Sequence, residues 1–199
     1  MRPLNFYIIT IFTITSLFTT AQEKNSSIIA KDAKIQQAGS NFSFTEGPAV
    51  ALDGRVYFTD QPNDRIYVWD ENEGISLWLE GTGRSNGMYF NSDDQLVTCA
   101  DEKNQIAYFG ANKNLIPIVD AFDNKHLNGP NDLWIDKEDG IYFTDPYYHR
   151  SWWPDEHKEV QDVRGVYYLS ALGEVIRVID DFKTPNGLIG TPDGKTLYV

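Results

Sequence analysis

Four polar side chains recur at corresponding places in a repeated sequence pattern. Each leads into a short apolar run, an Asp/Gly-rich turn and a second apolar run; the four are Glu46, Asn86, Asn131 and Asn186. One carboxylate and three amide carbonyls are hard oxygen ligands, which suit Ca²⁺, Mg²⁺ or Mn²⁺. If the fold brings these leading residues to one place, they could hold a divalent cation.

The spacing of the repeat predicts a fold that would do so. Successive leading residues are roughly 40 to 55 positions apart, and a period of that order built from short strands is typical of propeller blades. In the first unit, Asp53-Gly54 separates two apolar runs and signals a tight type I′ hairpin. The sequence therefore predicts an all-β protein, a β-propeller with four-stranded antiparallel blades that start near residues 46, 86, 131 and 186.

The innermost strand of a propeller blade runs along the central channel, so each leading residue is expected at the channel mouth. Asn before Gly, as at Asn86 and Asn186, is alternatively an ordinary turn residue. Glu has no special turn propensity, so Glu46 favours the metal interpretation. The equivalence of position across the units, more than any single residue, indicates a common site.

Further carboxylates lie near the same rim of the predicted propeller. Asp60, Asp101 and Asp145 end the second strands of three units, where Asp commonly accepts backbone N–H bonds. That structural role is favoured, with Asp145 as the strongest candidate for an exception. The role of Asp132 is open, because strand alternation would send it away from its neighbour Asn131. Asn86, Asp132 and Asp145 are predicted to contact the metal ligands without binding the cation themselves.

A long insertion interrupts the third unit at residues 146–163. Long loops in compact domains are commonly functional, and this aromatic loop carries Tyr147, Tyr148, His149, Arg150, Trp152 and Trp153. It forms either a substrate rim or a small separate core around its own Trp pair. In the first case Tyr148 and His149 are expected to contact the substrate. The histidines match no zinc-binding spacing.

The composition excludes several functions. A net charge of −12 and a pI near 4.5 disfavour nucleic acid as a partner, because phosphate backbones require a basic surface. No Gly-rich phosphate loop and no GxSxG motif appears, so nucleotide binding and serine-hydrolase chemistry have no local support. The single cysteine, Cys99, lies in an apolar strand and is expected to act as a small hydrophobe.

The N-terminus is typical of a secretory signal. Arg2 precedes an apolar run at 6–18 and small residues through Ala21, which predicts a signal peptide over residues 1–21. A membrane anchor would need about 20 apolar residues. We expect an exported protein, periplasmic or secreted, with no membrane contact after cleavage. Residues 22–36 are predicted to be a linker and 37–199 an incomplete propeller, because the fourth unit stops in its second strand at Val199.

Three segments resemble the senescence-marker-protein/gluconolactonase family, the regucalcin-like lactonases. They are SFTEGPAV at 43–50, LNGPNDLWIDKEDGIYFTDPYY at 127–148 and TPNGLIGTPDGKTLYV at 184–199. The resemblance covers the chain from Gln37 onward. It implies a six-bladed propeller with one catalytic divalent cation at the channel mouth, calcium first and magnesium, manganese or zinc as alternatives. It also implies a small-molecule lactone as the partner.

The resemblance also implies roles for individual residues. By motif, Glu46 and Asn186 match metal ligands, and Asn131 matches a residue that contacts the substrate or the water on the metal. The remaining ligand, an Asp proposed as general base, comes from a later blade and its match would lie beyond Val199. Animal members carry an Arg where Gly129 stands here, which leaves the preferred lactone open.

Three functions are compatible with these observations. The leading hypothesis is an exported, metal-dependent hydrolase of sugar lactones, in which the cation polarises the lactone carbonyl and activates water. The alternative is a non-catalytic propeller that binds carbohydrate or protein at its aromatic rim, since propellers are often scaffolds. The third is an arylesterase or organophosphate hydrolase, in which the cation would have the same chemical role.

Overall fold

A computed structural model of the chain describes residues 29, 30 and 32–199. The chain separates into two units, Met1–Gln36 and Gln37–Val199. The predicted signal peptide lies outside the described residues, as does most of the predicted linker. Within the described part of the chain, no helix is long and apolar enough to cross a membrane.

The second unit is built from short antiparallel strands in successive sheets. Blade 1 contains β1 (Thr45–Val50), β2 (Val56–Asp60), β3 (Arg65–Asp70) and β4 (Gly74–Glu80). Blade 2 contains β5 (Ser85–Phe90), β6 (Leu96–Ala100), β7 (Gln105–Phe109) and β8 (Leu115–Val119). A small hairpin follows, β9 (Ala121–Phe122) with β10 (Lys125–His126). Blade 3 contains β11 (Leu133–Ile135), β12 (Ile141–Thr144), β13 (Val166–Leu169) and β14 (Val175–Ile179).

Two strands of a fourth blade complete the described chain, β15 (Ile189–Gly190) and β16 (Leu197–Tyr198). In blades 1 to 3 the strands pair in chain order, so each sheet is a four-stranded meander. The sequence prediction of an all-β, propeller-type fold is confirmed, as an arc that does not close. The number of six blades stays a prediction.

The first hairpins of the blades differ from the predicted turn type. In the first hairpin loop of blade 1 only Gly54 has a positive φ, and the Ala51 N–H donates to the Arg55 carbonyl at 3.0 Å around a three-residue loop. In blade 3 Asp139, and not Gly140, takes the left-handed conformation. The predicted type I′ turns are therefore wrong, because a three-residue loop requires a single left-handed residue at its last position.

Apolar side chains hold adjacent blades face to face. One buried cluster joins blades 1 and 2 through Tyr57, Ile66, Met88 and other residues, and another joins blades 2 and 3. In the second cluster Cys99 is fully buried, as its sequence context predicts. Because the blades pack in this way, the innermost strands lie side by side in the order β1, β5, β11 and β15.

The innermost strand of blade 2 approaches the start of blade 3 closely at Gly87. Its N–H donates to the Asn131 carbonyl at 2.8 Å. A Cβ at this position would lie 2.7 Å from the same oxygen and 2.5 Å from the Asp132 Cα, and neither backbone atom can move aside easily. At Gly187, the counterpart in blade 4, a Cβ would meet only the Asp132 Oδ2, at an ordinary 3.6 Å.

Gly87→Ala is therefore expected to destabilise the protein by about 3 kcal/mol, at the upper end of overpacking effects. Gly187→Ala is the matched control and should cost less than about 1 kcal/mol, because the methyl group has room. Urea titration of the free energy of unfolding measures both. Equal losses in the two variants would contradict the close approach of β5 and the start of blade 3.

Candidate functional site

The four leading residues lie at corresponding places on the innermost strands. Glu46 and Asn86 are the second residues of β1 and β5, while Asn131 and Asn186 stand just before β11 and β15. Neither Asn86 nor Asn186 has a positive φ, and Asn86 lies inside a strand, so the alternative of an Asn-Gly turn is wrong at both. The fold therefore places all four at the starts of adjacent innermost strands.

Hydrogen bonds between blades fix the backbone at these positions. Thr59 of blade 1 donates its hydroxyl to the Asn86 carbonyl of blade 2 at 3.3 Å. Thr144 of blade 3 donates in the same way to the Asn186 carbonyl of blade 4 at 2.7 Å. Both threonines belong to a YFTD motif, and this repeated motif is the signal by which sequence analysis could have found them. In blade 2 Ala100 takes the corresponding place.

Asp132 occupies a central position among the innermost strands. It stands before β11 begins, so strand alternation does not govern its direction. Its Oδ2 accepts the Leu188 N–H of blade 4 at 3.2 Å and its Oδ1 accepts the Leu133 N–H at 2.9 Å. Burial raises the pKa of Asp132 to about 6, and the charge of Glu46 adds to this rise. The half-buried Asp132 therefore interacts with both blade 1 and blade 4.

The side chains of the leading residues carry oxygen atoms without internal partners in the described part of the chain. Within the described residues, no internal hydrogen bond or ion pair occupies the side chains of Glu46, Asn86 and Asn131; only backbone atoms of the two Asn residues are bonded. Asn186 donates its Nδ2 to the Tyr148 hydroxyl at 3.1 Å, which leaves its Oδ1 as an acceptor. One carboxylate and several amide oxygens fit a hard divalent cation.

A metal site made only of His, Cys, Asp or Glu side chains has less support. Among residues 29, 30 and 32–199 no group of three or more His, Cys, Asp or Glu side chains could hold a metal ion. A site at the leading residues would thus depend on amide oxygens beside the carboxylate of Glu46. The assignment of Glu46 and Asn186 as ligands stays a prediction, as does the contact of Asn131 with a substrate.

Two of the strand-end carboxylates hold the chain that approaches the site. Asp145 accepts the N–H groups of Asn128 and Gly129 at 2.9 and 2.8 Å, and these residues stand three and two positions before Asn131. Asp60 accepts the N–H groups at positions 43 and 44, three and two positions before Glu46, at 3.0 Å each. The structural role expected for a strand-end Asp is therefore present in both blades.

The buried Asp145 should make stability depend on pH. Burial raises its pKa from 3.8 to about 7, so between these values the folded protein binds a proton that the unfolded chain does not. Stability from this group therefore falls as pH rises from about 4 to 7. We expect the free energy of unfolding of the metal-free parent to fall across that range relative to Asp145→Asn. Parallel pH profiles for the two proteins would contradict the shift.

The aromatic loop (residues 146–163) contains the small separate core that is one of the two structures predicted for it. Trp153 is buried, its ring centroid lies 3.9 Å from that of His157, and its Nε1–H donates to the Asp101 carbonyl at 3.2 Å. This part forms a small separate core. Tyr148 is half-buried and reaches Asn186, while His149 is exposed. The rim role predicted for these two residues thus remains open to test.

Comparison with known proteins supports a common origin with lactonases. The family model of the SMP-30/gluconolactonase/LRE-like region matches residues 44–199. A gluconolactonase of Zymomonas mobilis is 27% identical over 188 residues, which are 87% of this chain and 53% of the relative. The solved gluconolactonase of Xanthomonas campestris is 27% identical with a TM-score of 0.74, over 81% of this chain and 55% of that one.

A more distant structure shares the fold alone. Regucalcin of Agrobacterium tumefaciens, described as a calcium-binding protein, is 14% identical with a TM-score of 0.59. That match covers 80% of this chain and 50% of the other. The chain thus spans about half the length of the relatives that it matches.

Proposed function

This chain belongs to the SMP-30/gluconolactonase/LRE-like family, and on that premise we propose that the protein is an exported, divalent-metal-dependent hydrolase of sugar lactones. One observation carries the proposal. The leading residues of four adjacent innermost strands lie at corresponding positions, and among residues 29, 30 and 32–199 their side-chain oxygens have no internal partners. Export rests on the N-terminal sequence, with a charged start, an apolar run and small residues before position 22.

The cation would be held by the Glu46 carboxylate and by the Asn186 Oδ1. Calcium is the ion that we expect, because oxygen-only donor sets suit it and several ligands can come from amides. When bound, a divalent ion polarises a carbonyl oxygen and lowers the pKa of water, which is the chemistry that ester hydrolysis requires. Magnesium, manganese and zinc are the alternatives to be compared.

The residues of the chain would orient the lactone. The Asn131 amide can donate to a ring or hydroxyl oxygen of a sugar lactone and accept from a neighbouring hydroxyl group. Its backbone is held by the Gly87 N–H and, through the segment before it, by Asp145. Tyr148 and His149 would border the substrate on the side of the aromatic loop. Such positioning lowers the entropic barrier to attack by water.

Hydrolysis of D-glucono-1,5-lactone by the purified full-length protein tests the proposal. In a weakly buffered assay with a pH indicator, we expect acid release well above the spontaneous rate. Treatment with a chelator should reduce release to the spontaneous rate, and Ca²⁺ should restore it, since the cation supplies the electrophile. An unchanged rate in verified metal-free protein would overturn metal dependence, and no catalysis of any sugar lactone would overturn the activity.

The alternative function, binding of carbohydrate or protein at an aromatic rim, has less support. Trp153 is buried within the aromatic loop, and the Arg84 and Arg150 side chains lie over the Trp152 ring at 4.5 and 5.8 Å. Both Trp side chains therefore pack against other residues of the protein, which leaves little of their rings for a ligand. A rim for ligand stacking would retain only Tyr148 and His149.

A further inference from the structure

An ion pair between blades anchors the aromatic loop. Arg150 donates its Nε–H to the Asp101 Oδ2 at 2.8 Å, and the two side chains are only 17% and 1% exposed. The same Oδ2 accepts the Gln61 Nε2–H at 3.1 Å, from the turn between β2 and β3 of blade 1. Trp153 of the loop donates to the Asp101 carbonyl. Asp101 of blade 2 is therefore the attachment point for a loop that originates in blade 3.

Asp101 differs from its counterparts in the neighbouring blades. Asp60 and Asp145 use their carboxylates to hold backbone N–H groups of their own blades. In blade 2 that task falls to Asp64, whose Oδ1 accepts the Arg84 N–H at 2.6 Å. The Asp101 side chain is thus available for Arg150. Because a buried ion pair often adds little net stability, its presence here points to a positional role.

Arg150 also contacts Tyr148, and Tyr148 in turn contacts the candidate metal ligand Asn186. The guanidinium carbon lies 5.4 Å from the centroid of the Tyr148 ring. The Tyr148 hydroxyl in turn accepts the Asn186 Nδ2–H at 3.1 Å. Asp101, Arg150, Tyr148 and Asn186 therefore form a continuous line of contacts from blade 2 across the loop to blade 4.

Position 129, two residues before Asn131, has little room for a side chain. Gly129 has a φ of +153°, and a Cβ there would lie 3.1 Å from the Trp153 ring and 3.3 Å from the Asp101 Oδ1. The space beside Gly129 is thus filled by Trp153 and Asp101 themselves.

We propose that Arg150 is a positioning residue for the cation ligand Asn186, an inference that rests on the proposed function. Its ion pair with Asp101 holds Arg150 against Tyr148, and the Tyr148 hydroxyl then engages the amide nitrogen of Asn186. An amide can present either its oxygen or its nitrogen to the site, and only the oxygen binds a cation. In the structure the Tyr148 hydroxyl accepts the Nδ2–H, and the line of contacts holds the amide in the orientation in which Oδ1 is free.

Calcium titration of the chelator-treated full-length protein by calorimetry tests this inference without an activity readout. Arg150→Ala and Tyr148→Phe should each raise the Kd for Ca²⁺ by about 10-fold, the lower end for residues that orient a metal ligand. The double variant should bind no more weakly than the weaker single variant, because both changes break the same line. Tyr148→Phe removes one hydroxyl group and leaves the loop packing, so it decides the case even if Arg150→Ala fails to fold.

Arg164→Ala provides the matched control within the same segment. Arg164 pairs with Glu159 at 2.8 Å, away from Asp101, and its loss should leave the Kd within about twofold, as for exposed ion pairs. Unchanged Ca²⁺ affinity in Tyr148→Phe, or additive losses in the double variant, would overturn the inference. A parent that binds Ca²⁺ but hydrolyses no lactone would overturn only the proposed function. A parent that binds none of Ca²⁺, Mg²⁺, Mn²⁺ and Zn²⁺ would overturn both.

Discussion

Glu46→Gln is expected to lower kcat/KM for lactone hydrolysis by roughly 100- to 1000-fold, which corresponds to about 3 to 4 kcal/mol of lost transition-state stabilisation. Glu46 is the one carboxylate among the four leading residues, and the other three contribute neutral amides. Gln keeps the size and shape of the side chain but removes its negative charge. The loss should therefore appear as weaker cation binding together with slower turnover, measured by calorimetry and by initial rates at saturating Ca²⁺.

The control for this variant is Glu71→Gln. Glu71 is an exposed residue of a turn in the same blade, so this change removes an equal charge from the surface and should leave the rate within about twofold. Glu46→Gln should also lower the pKa of Asp132, because the charge of Glu46 contributes to its rise. A Glu46→Gln protein that hydrolyses lactones at the parental rate would remove Glu46 from the site.

Asp145→Ala is expected to destabilise the protein by about 4 kcal/mol. The Asp145 carboxylate is completely buried and accepts the N–H groups of Asn128 and Gly129. Without it both donors stay buried and unpaired, and each such group costs roughly 1–3 kcal/mol. Urea titration of metal-free protein measures the loss. Asp60→Ala should cost less, because the N–H groups that Asp60 holds belong to the exposed residues 43 and 44 and can bond water instead.

Asp53→Ala separates this effect from the simple loss of a carboxylate. Asp53 lies in an exposed hairpin turn and pairs with Arg55, with side chains 49% and 44% exposed. Surface pairs of this kind contribute about 0–1 kcal/mol. If Asp145→Ala were no more destabilising than Asp53→Ala, the two backbone hydrogen bonds would not be holding the segment before Asn131.

Much of the fold was predictable because its strands are local features. The alternation of apolar residues around Asp53-Gly54 and Asp139-Gly140 indicates hairpins, and both hairpins are present with the expected strands. The turn type was not predictable from the Asp-Gly pair alone. It depends on how many residues the loop contains, and in blade 3 the left-handed position falls on Asp139 instead of Gly140.

The candidate site was predictable only in part. The repeat indicated that Glu46, Asn86, Asn131 and Asn186 occupy equivalent positions, and their strands do lie side by side. The direction of Asp132 was not accessible from alternation, because alternation holds within a strand and Asp132 precedes one. The anchoring of the aromatic loop on Asp101 was also missed. Asp101 lacks the Thr that precedes Asp60 and Asp145, but this local difference does not identify a partner 49 positions away.

By itself, the sequence determined the strands, their period and the equivalence of the four leading residues, because these follow from hydrophobic alternation over a few neighbouring positions. Only the tertiary structure decided which carboxylates hold backbone and which hold side chains. Asp132 bonds Leu188 across 56 positions and Asp101 pairs with Arg150 across 49. The packing of the blades determines which residues this far apart come into contact. The sequence pattern within a single blade does not predict these contacts.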